Sequence, residues 1–399
     1  MRLTSSFAVF GTHPGEERLA KARWYGRDGR ASDAEAAYRA ALAEEPDLRT
    51  GWLELFELLR RAGRFADALE VARAAGRHFG PDAAMPRALE GAALTELGRT
   101  REAVAALEEA IERDGNLALA WHELAYAAFR AGEHTRALLV LDRAFALEPH
   151  TDTLMLRGRI LRAAGQYDAA EVAFEAAEQS AVHDPPRREA EREILATRRA
   201  ASLGARKPQQ HTPREGVFVD TGAILLDAAA ADRAGAGAAA GAAPLAECLS
   251  VFLAVAAALD WRPRALGGAE PGDEPLAAAL ASRLRIPALP LAALDPADQP
   301  LVVTVANHDA RDWCRQMARL RRWKGGYSFA LIQRPGVADP ADVVGTRRGP
   351  HDPDAARLLL PRTLELLPAD FPPPPAGEIL ALAESPLALW RARRPAAPA

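Results

Sequence analysis

The stretch GAALTELGRTREAVAALEEA, residues 91–110, decides the fold. Glycine at 98 sits between two apolar-periodic segments. A small residue, Gly91, stands seven positions before it, Ala103 five after it and Ala110 twelve after it. That is the pattern of two short helices meeting at a turn and packing closely. Working outward, the same turn glycine returns at Gly29, Gly63, Gly132 and Gly165, in steps of 34, 35, 34 and 33 residues. The small residue recurs at Ala22, Ala125 and Gly158, with Phe56 as the exception. The alanine five after the turn recurs at Ala34, Ala68, Ala137 and Ala170, and the one twelve after it at Ala41, Ala75, Ala144 and Ala177. A larger apolar residue lies between them at Tyr38, Leu107, Leu141 and Phe174, with Ala72 replacing it in the second unit. Tryptophan opens two first helices, Trp52 and Trp121, and Pro46 and Pro149 close two units, where proline stops a helix.

A period of 34 residues with helix on both sides of the glycine is the signature of tetratricopeptide repeats. The segment from about Gly15 to Gln179 resembles five of them, ten antiparallel helices, and Pro185–Ala201 reads as an amphipathic capping helix with Ile194 and Leu195 on its apolar side. One such unit cannot bury its own apolar face; a stack can, and it forms a superhelix with a long concave surface.

The resemblance implies that first helices line the concave face, with positions six, three and two before each turn glycine pointing into it. Seven of these fifteen are arginine: Arg23, Arg27, Arg60, Arg61, Arg130, Arg159 and Arg162. Two are acidic, Glu57 and Glu96. Tyr126 and Phe129 add an aromatic ledge, with His122 one turn earlier. Two readings stay open. One is a groove for an acidic or C-terminal peptide segment, since the guanidinium fork suits carboxylates. The other is a solvated helix surface in an arginine-rich chain. Chaperone-binding members grip a terminal carboxylate with a Lys and Asn set, and no Asn stands at the corresponding places here.

Leu203–Arg214 reads as a linker, and then the texture changes. Gly216–Val219 and Ala223–Leu226 flank Asp220-Thr221-Gly222 as two strands about a hairpin-like turn. Ala228–Ala243 reads as an Ala/Gly loop and Pro244–Leu259 as an apolar helix. Next come Arg264-Ala265-Leu266-Gly267, a loop, a helix from about Glu274 to Leu284 and a strand Ile286–Leu291. Leu301–Val305 is a continuous apolar run, typical of a buried parallel strand. Asp309–Trp323 reads as a helix with Cys314 in its core, and Tyr327–Gln333 as a strand. This order argues an α/β layer with a mostly parallel sheet. The predicted organisation is an extension 1–14, a solenoid 15–203, a linker 204–214, an α/β domain 215–335 and a Pro-rich region 336–399 with short helices at Ala355–Leu367 and Ala376–Ala383.

The α/β segment faintly resembles type I phosphoribosyltransferases. Pro271-Gly272-Asp273 matches their first loop loosely. Their phosphate cradle would follow Leu301–Val305, and here Ala306-Asn307-His308-Asp309 follows, with one acid and no Gly or Thr cradle. Asn307, His308 and Asp309 mark either a ligand end, at the C-terminal edge of a strand, or a helix N-cap beside a solvent-facing histidine.

The 399 residues carry a net charge of −4, so no bulk attraction to nucleic acid or anionic membrane is expected. Two cysteines, Cys248 and Cys314, exclude a disulfide framework and fit a reducing cytoplasm. The Ala and Arg bias fits a GC-rich bacterial genome. No P-loop, dinucleotide fingerprint or zinc spacing is present, so no cofactor or metal is expected. The functional expectation is a scaffold that binds a protein or peptide; the alternative is an enzyme, or degenerate enzyme, whose α/β half binds a nucleotide or sugar phosphate.

Overall fold

The structure is a computed structural model. It describes residues 14–204, 206–226, 241–258, 263–270, 272–295, 299–307, 327–333, 341–346, 353–367 and 377–384. The chain divides into two compact units, Met1–Glu191 and Arg192–Ala399.

In the first unit, ten helices form five antiparallel pairs: α1 (Pro14–Arg27) with α2 (Ala31–Glu44), α3 (Arg49–Arg61) with α4 (Phe65–Phe79), α5 (Ala84–Glu96) with α6 (Thr100–Arg113), α7 (Ala118–Arg130) with α8 (His134–Leu147), and α9 (Thr151–Ala163) with α10 (Tyr167–Ser180). The turn between partners is the same in each pair. At Gly98, φ is 73°, in the left-handed region where a side chain is strained. The Arg99 N–H then bonds the Leu94 carbonyl at 2.9 Å and the Gly98 N–H bonds Thr95 at 3.1 Å. This closes the first helix with a Schellman motif.

The recurrent alanines are all buried. The small residues before the turn admit a large side chain from the partner helix. A Cβ built on Gly91 would lie 2.5 Å from Leu107 Cγ, and one on Gly158 would lie 2.6 Å from the Phe174 ring. The second pair inverts the arrangement: Phe56 supplies the bulk from α3 and Ala72 supplies the gap on α4, both buried in one cluster. The two departures from the sequence pattern thus compensate each other. Trp52 and Trp121 also hold matching places, each donating its indole N–H to the preceding loop, at Pro46 O (2.8 Å) and Gly115 O (2.9 Å).

Helix α11 (Asp184–Ser202) follows. Its buried stripe runs through Ala190, Ile194, Thr197 and Ala200. Leu195, expected on that side, is instead 48% exposed, because a stripe at three- and four-residue spacing through Ile194 passes it by.

The second unit holds a parallel five-stranded sheet in the order β1-β5-β4-β3-β2, with β1 (Ile224–Leu225), β2 (Leu266–Gly268), β3 (Leu301–Asn307), β4 (Tyr327–Gln333) and β5 (Val343–Thr346). Its other elements are α12 (Pro213–Thr221), α13 (Ala242–Ala258), α14 (Glu274–Leu284), α15 (Pro353–Glu365) and α16 (Gly377–Glu384). The larger core joins α13, α14, α15 and α16 to β3 and β4, and Phe252 stacks on Phe329 at 4.2 Å between centroids. On the other face Val302, Ala330 and Val344 pack with Leu294.

Several expectations are corrected here. Residues 216–219 are helical, not a strand, because Thr212 and Glu215 form a capping box with Pro213 at the first turn. Gly222, at φ 76°, ends that helix, and Ile224–Leu225 pairs in parallel with β5, so there is no hairpin. Ile286–Leu291 makes a single bridge, Leu266 with Ala288, since Pro287 and Pro290 lack the N–H a ladder needs. Beyond residue 335 the chain still builds the sheet: β5 lies between β1 and β4. Ala242 and Ala243 open α13 rather than closing a loop. The Ala/Gly tract to residue 240 and the helix expected over Asp309–Trp323, Cys314 included, lie outside the described residues.

Candidate functional site

The expected groove positions fall on α1, α3, α5, α7 and α9, and the structure gives most of their arginines a partner. Arg23 forms an ion pair with Glu54 at 2.8 Å. Arg60 pairs with Glu57 at 3.0 Å and lies 3.9 and 3.8 Å from Glu96 and Glu123. Arg130 reaches Glu96 at 3.3 Å and donates to the Tyr126 hydroxyl at 3.1 Å. Arg159 pairs with Glu189 at 2.5 Å. The Arg162 guanidinium lies 5.6 Å from the centroid of the Phe174 ring. Arg27 and Arg61 are exposed, and Phe129 packs against His134 at 5.9 Å between ring centroids. Several of these pairs join consecutive repeats: Glu54 links α3 to α1, and Glu96 links α5 to α3 and α7. Arginine and carboxylate are interleaved at the expected groove positions.

A cavity of about 620 Å³ opens where α3, α5, α7 and α9 approach. It brings together Arg60, Arg61 and His122 from the expected set and leaves Arg23, Arg27, Tyr126, Phe129, Arg130, Arg159 and Arg162 outside its lining. Five carboxylates, Glu57, Glu96, Glu123, Glu148 and Asp152, share that lining with the two arginines. Glu123 is buried, and its Oε2 has no hydrogen-bond partner. Burial pushes its carboxyl up to about 7, against the pull of Arg60. His122, whose Nδ1 lies 3.4 Å from the Thr153 hydroxyl, is pushed down to about 4 by burial, so it is a neutral ring at pH 7. The cavity is therefore acidic on balance.

At the other candidate site, Asn307 ends β3; His308 and Asp309 lie outside the described residues. The loop after β2 is occupied by the chain's own carboxylates. Asp273 accepts from the Val305 N–H (3.2 Å) and the Glu270 N–H (3.1 Å), and Glu274 accepts from the Gly272 N–H (2.6 Å). Arg357 bridges Glu270 and Asp273 at 3.1 and 3.5 Å. Burial raises the Asp273 carboxyl, and those hydrogen bonds and Arg357 oppose the shift. From β2 to β5 the described strands step across the sheet in one direction. Open α/β sheets form their ligand crevice where that order reverses.

A tetratricopeptide-repeat family model matches residues 88–117. That segment covers most of α5, all of α6 and the turn between them. The chain carries tetratricopeptide repeats. No curated protein matches it. Among solved structures, it is similar to a thermophilic tetratricopeptide-repeat protein of Thermus thermophilus, at 19% identity over 45% of this chain and 99% of that one, with a TM-score of 0.41. PilW, a type IV pilus biogenesis factor, is 21% identical over 50% of this chain and 92% of that one, with a TM-score of 0.38. A chain of the Cut9–Hcn1 assembly of the APC/C is 19% identical over 51% of this chain, with a TM-score of 0.40; this chain spans 40% of its length.

Within the tetratricopeptide repeats, the residue that sequence reasoning missed is Glu123. It stands nine positions before its turn glycine. The third and fifth repeats place buried leucines there, Leu89 and Leu156. The second repeat places Glu54, which is the partner of Arg23. A carboxylate where the register calls for leucine was the available signal. Glu148, His150, Asp152 and Thr153 carried no such signal, because they belong to the loop and helix start after α8.

Proposed function

We propose that the chain is an interaction scaffold whose repeat groove holds an extended segment of a partner protein. The observation that supports this most is the open cavity of about 620 Å³ shared by four first helices, within the range of built ligand sites and rich in polar side chains. Among the described residues, no helix is long and apolar enough to cross a membrane, which fits a partner met in water. An acidic segment, suggested by the arginine count, has weaker support. Arg23, Arg60, Arg130 and Arg159 each face a carboxylate.

The test is selection of displayed random peptides on the full chain, followed by affinity measurement on an Ala118→Trp variant. Ala118 lines the cavity at the start of α7, so an indole there fills the groove from a helix end. Selected peptides should lose at least tenfold in affinity for this variant while its helix content stays normal. Peptides that bind both proteins equally would move the binding surface out of the groove.

A further inference from the structure

We propose that the groove cavity between α3, α5, α7 and α9 is a pocket for a lysine or arginine side chain of the bound segment, with the Glu123 carboxylate as its receptor. This rests on the reading of the groove as a peptide site and names the chemistry of its ligand.

Three observations carry it. First, charge: five carboxylates line the cavity against Arg60 and Arg61. Arg60 is itself surrounded by Glu57, Glu96 and Glu123, so the cavity retains acceptors beyond those its own guanidinium groups can use. Second, an orphan acceptor: Glu123 is buried at the cavity wall, and its Oε2 has no hydrogen-bond partner. A buried acceptor left without a donor is costly. An ammonium or guanidinium entering the cavity supplies that donor and a compensating charge. Third, register: leucine fills the equivalent place in two other repeats, so packing alone does not require a carboxylate there. Polar residues that break a local rule without a structural return collect at functional sites.

The ligand's charge and the Glu123 carboxyl are coupled. That carboxyl lies near 7 because it is desolvated. A bound cation favours its ionised form, so binding strengthens as pH rises from 6 to 8. The other titratable or charged groups lining the cavity are Glu57, Arg60 and Arg61 from α3, Glu96 from α5, His122 beside it on α7, Glu148 after α8, and His150 and Asp152 at the start of α9. His122, held near 4, stays neutral across that range.

The test uses the full chain and libraries of displayed nine-residue peptides with free and acidic-only compositions. Selected peptides should carry a Lys or Arg at one fixed place. Their affinity should fall at least tenfold on Glu123→Gln, and on Glu96→Gln as a second variant, with the fold checked by circular dichroism. Glu108→Gln, on the exposed face of α6, should leave affinity unchanged. Selected peptides without a basic residue, or equal binding by Glu123→Gln, would overturn the pocket while leaving the peptide groove standing. No selected peptide at all would overturn both. Thermal stabilisation by spermidine alone, with no peptide selected, would replace the side chain with a free polyamine.

Discussion

Replacing Glu123 by leucine should stabilise the protein, and by an amount that depends on pH. The fold holds this carboxyl near 7, against an ordinary 4.5, because it is desolvated. Between those values the folded protein keeps a proton that the unfolded chain has lost. The sign follows: this carboxyl's contribution to stability falls as pH rises from about 4.5 through 7 and is flat above, while His122, held near 4, contributes the opposite trend in both proteins, so the difference between them isolates Glu123. The shift corresponds to about 3 kcal/mol at pH 8 and about 1 kcal/mol at pH 5. Leucine removes this cost, and Leu89 and Leu156 show that the register accepts it. Arg60 keeps Glu57 and Glu96 as partners. Urea unfolding of the full chain and the variant at pH 5 and pH 8, followed by helix ellipticity, reads the difference directly. Glu123→Leu should gain about 3 kcal/mol at pH 8 and about 1 kcal/mol at pH 5. A variant less stable than wild type at pH 8, or a gain that does not change with pH, would refute the reasoning.

Gly158→Leu should drive its side chain into Phe174, which already lies 2.6 Å from an ideal Cβ, and cost about 1–3 kcal/mol; Glu108→Leu, on an exposed face, should change unfolding little. Phe56→Ala should cost about 3–5 kcal/mol as a cavity, and adding Ala72→Leu should recover part of it, because the two residues fill one space; additive losses in a double-mutant cycle would contradict that. Thr212→Ala should lower stability by about 1 kcal/mol through loss of the α12 cap, and no change in the unfolding of the second unit would contradict the capping box. Arg130→Ala with Arg162→Ala should leave the affinity of a selected basic peptide within threefold in an isothermal titration, whereas a tenfold loss would return the groove to an acidic ligand.

The repeats were legible because packing enforces them. A helix pair that closes against its neighbour needs a turn glycine, a small residue before it and alanines after it, and these recur whatever the surface does. Even the Phe56 and Ala72 departures obey the same volume rule. The sheet was legible where strands are long and buried, as at Leu301–Asn307, and illegible where they are short: Leu266–Gly268 has two glycines, and Val343–Thr346 is four residues in a Pro-rich surrounding. Gly216–Val219 misled because β-branched texture was weighed above the Thr212 and Glu215 capping box that starts a helix. The groove was read by position and then by residue type. Counting arginines at three register positions overlooked the acids at a fourth, Glu54 and Glu123, and side-chain pairing across repeats is decided in space.

The central claim is that a segment with a basic side chain sits in the concave groove beside α7. Photo-crosslinking tests it most directly, with a benzoylphenylalanine placed at Tyr126, one of the expected groove positions on α7, or at Leu139, which is 73% exposed on α8. The probe is a selected lysine-bearing peptide at a concentration well below its wild-type Kd. The account predicts a crosslink from position 126 that Glu123→Gln reduces about tenfold, and none from position 139. A crosslink from 139 alone, or one from 126 that persists unchanged in Glu123→Gln, would contradict it.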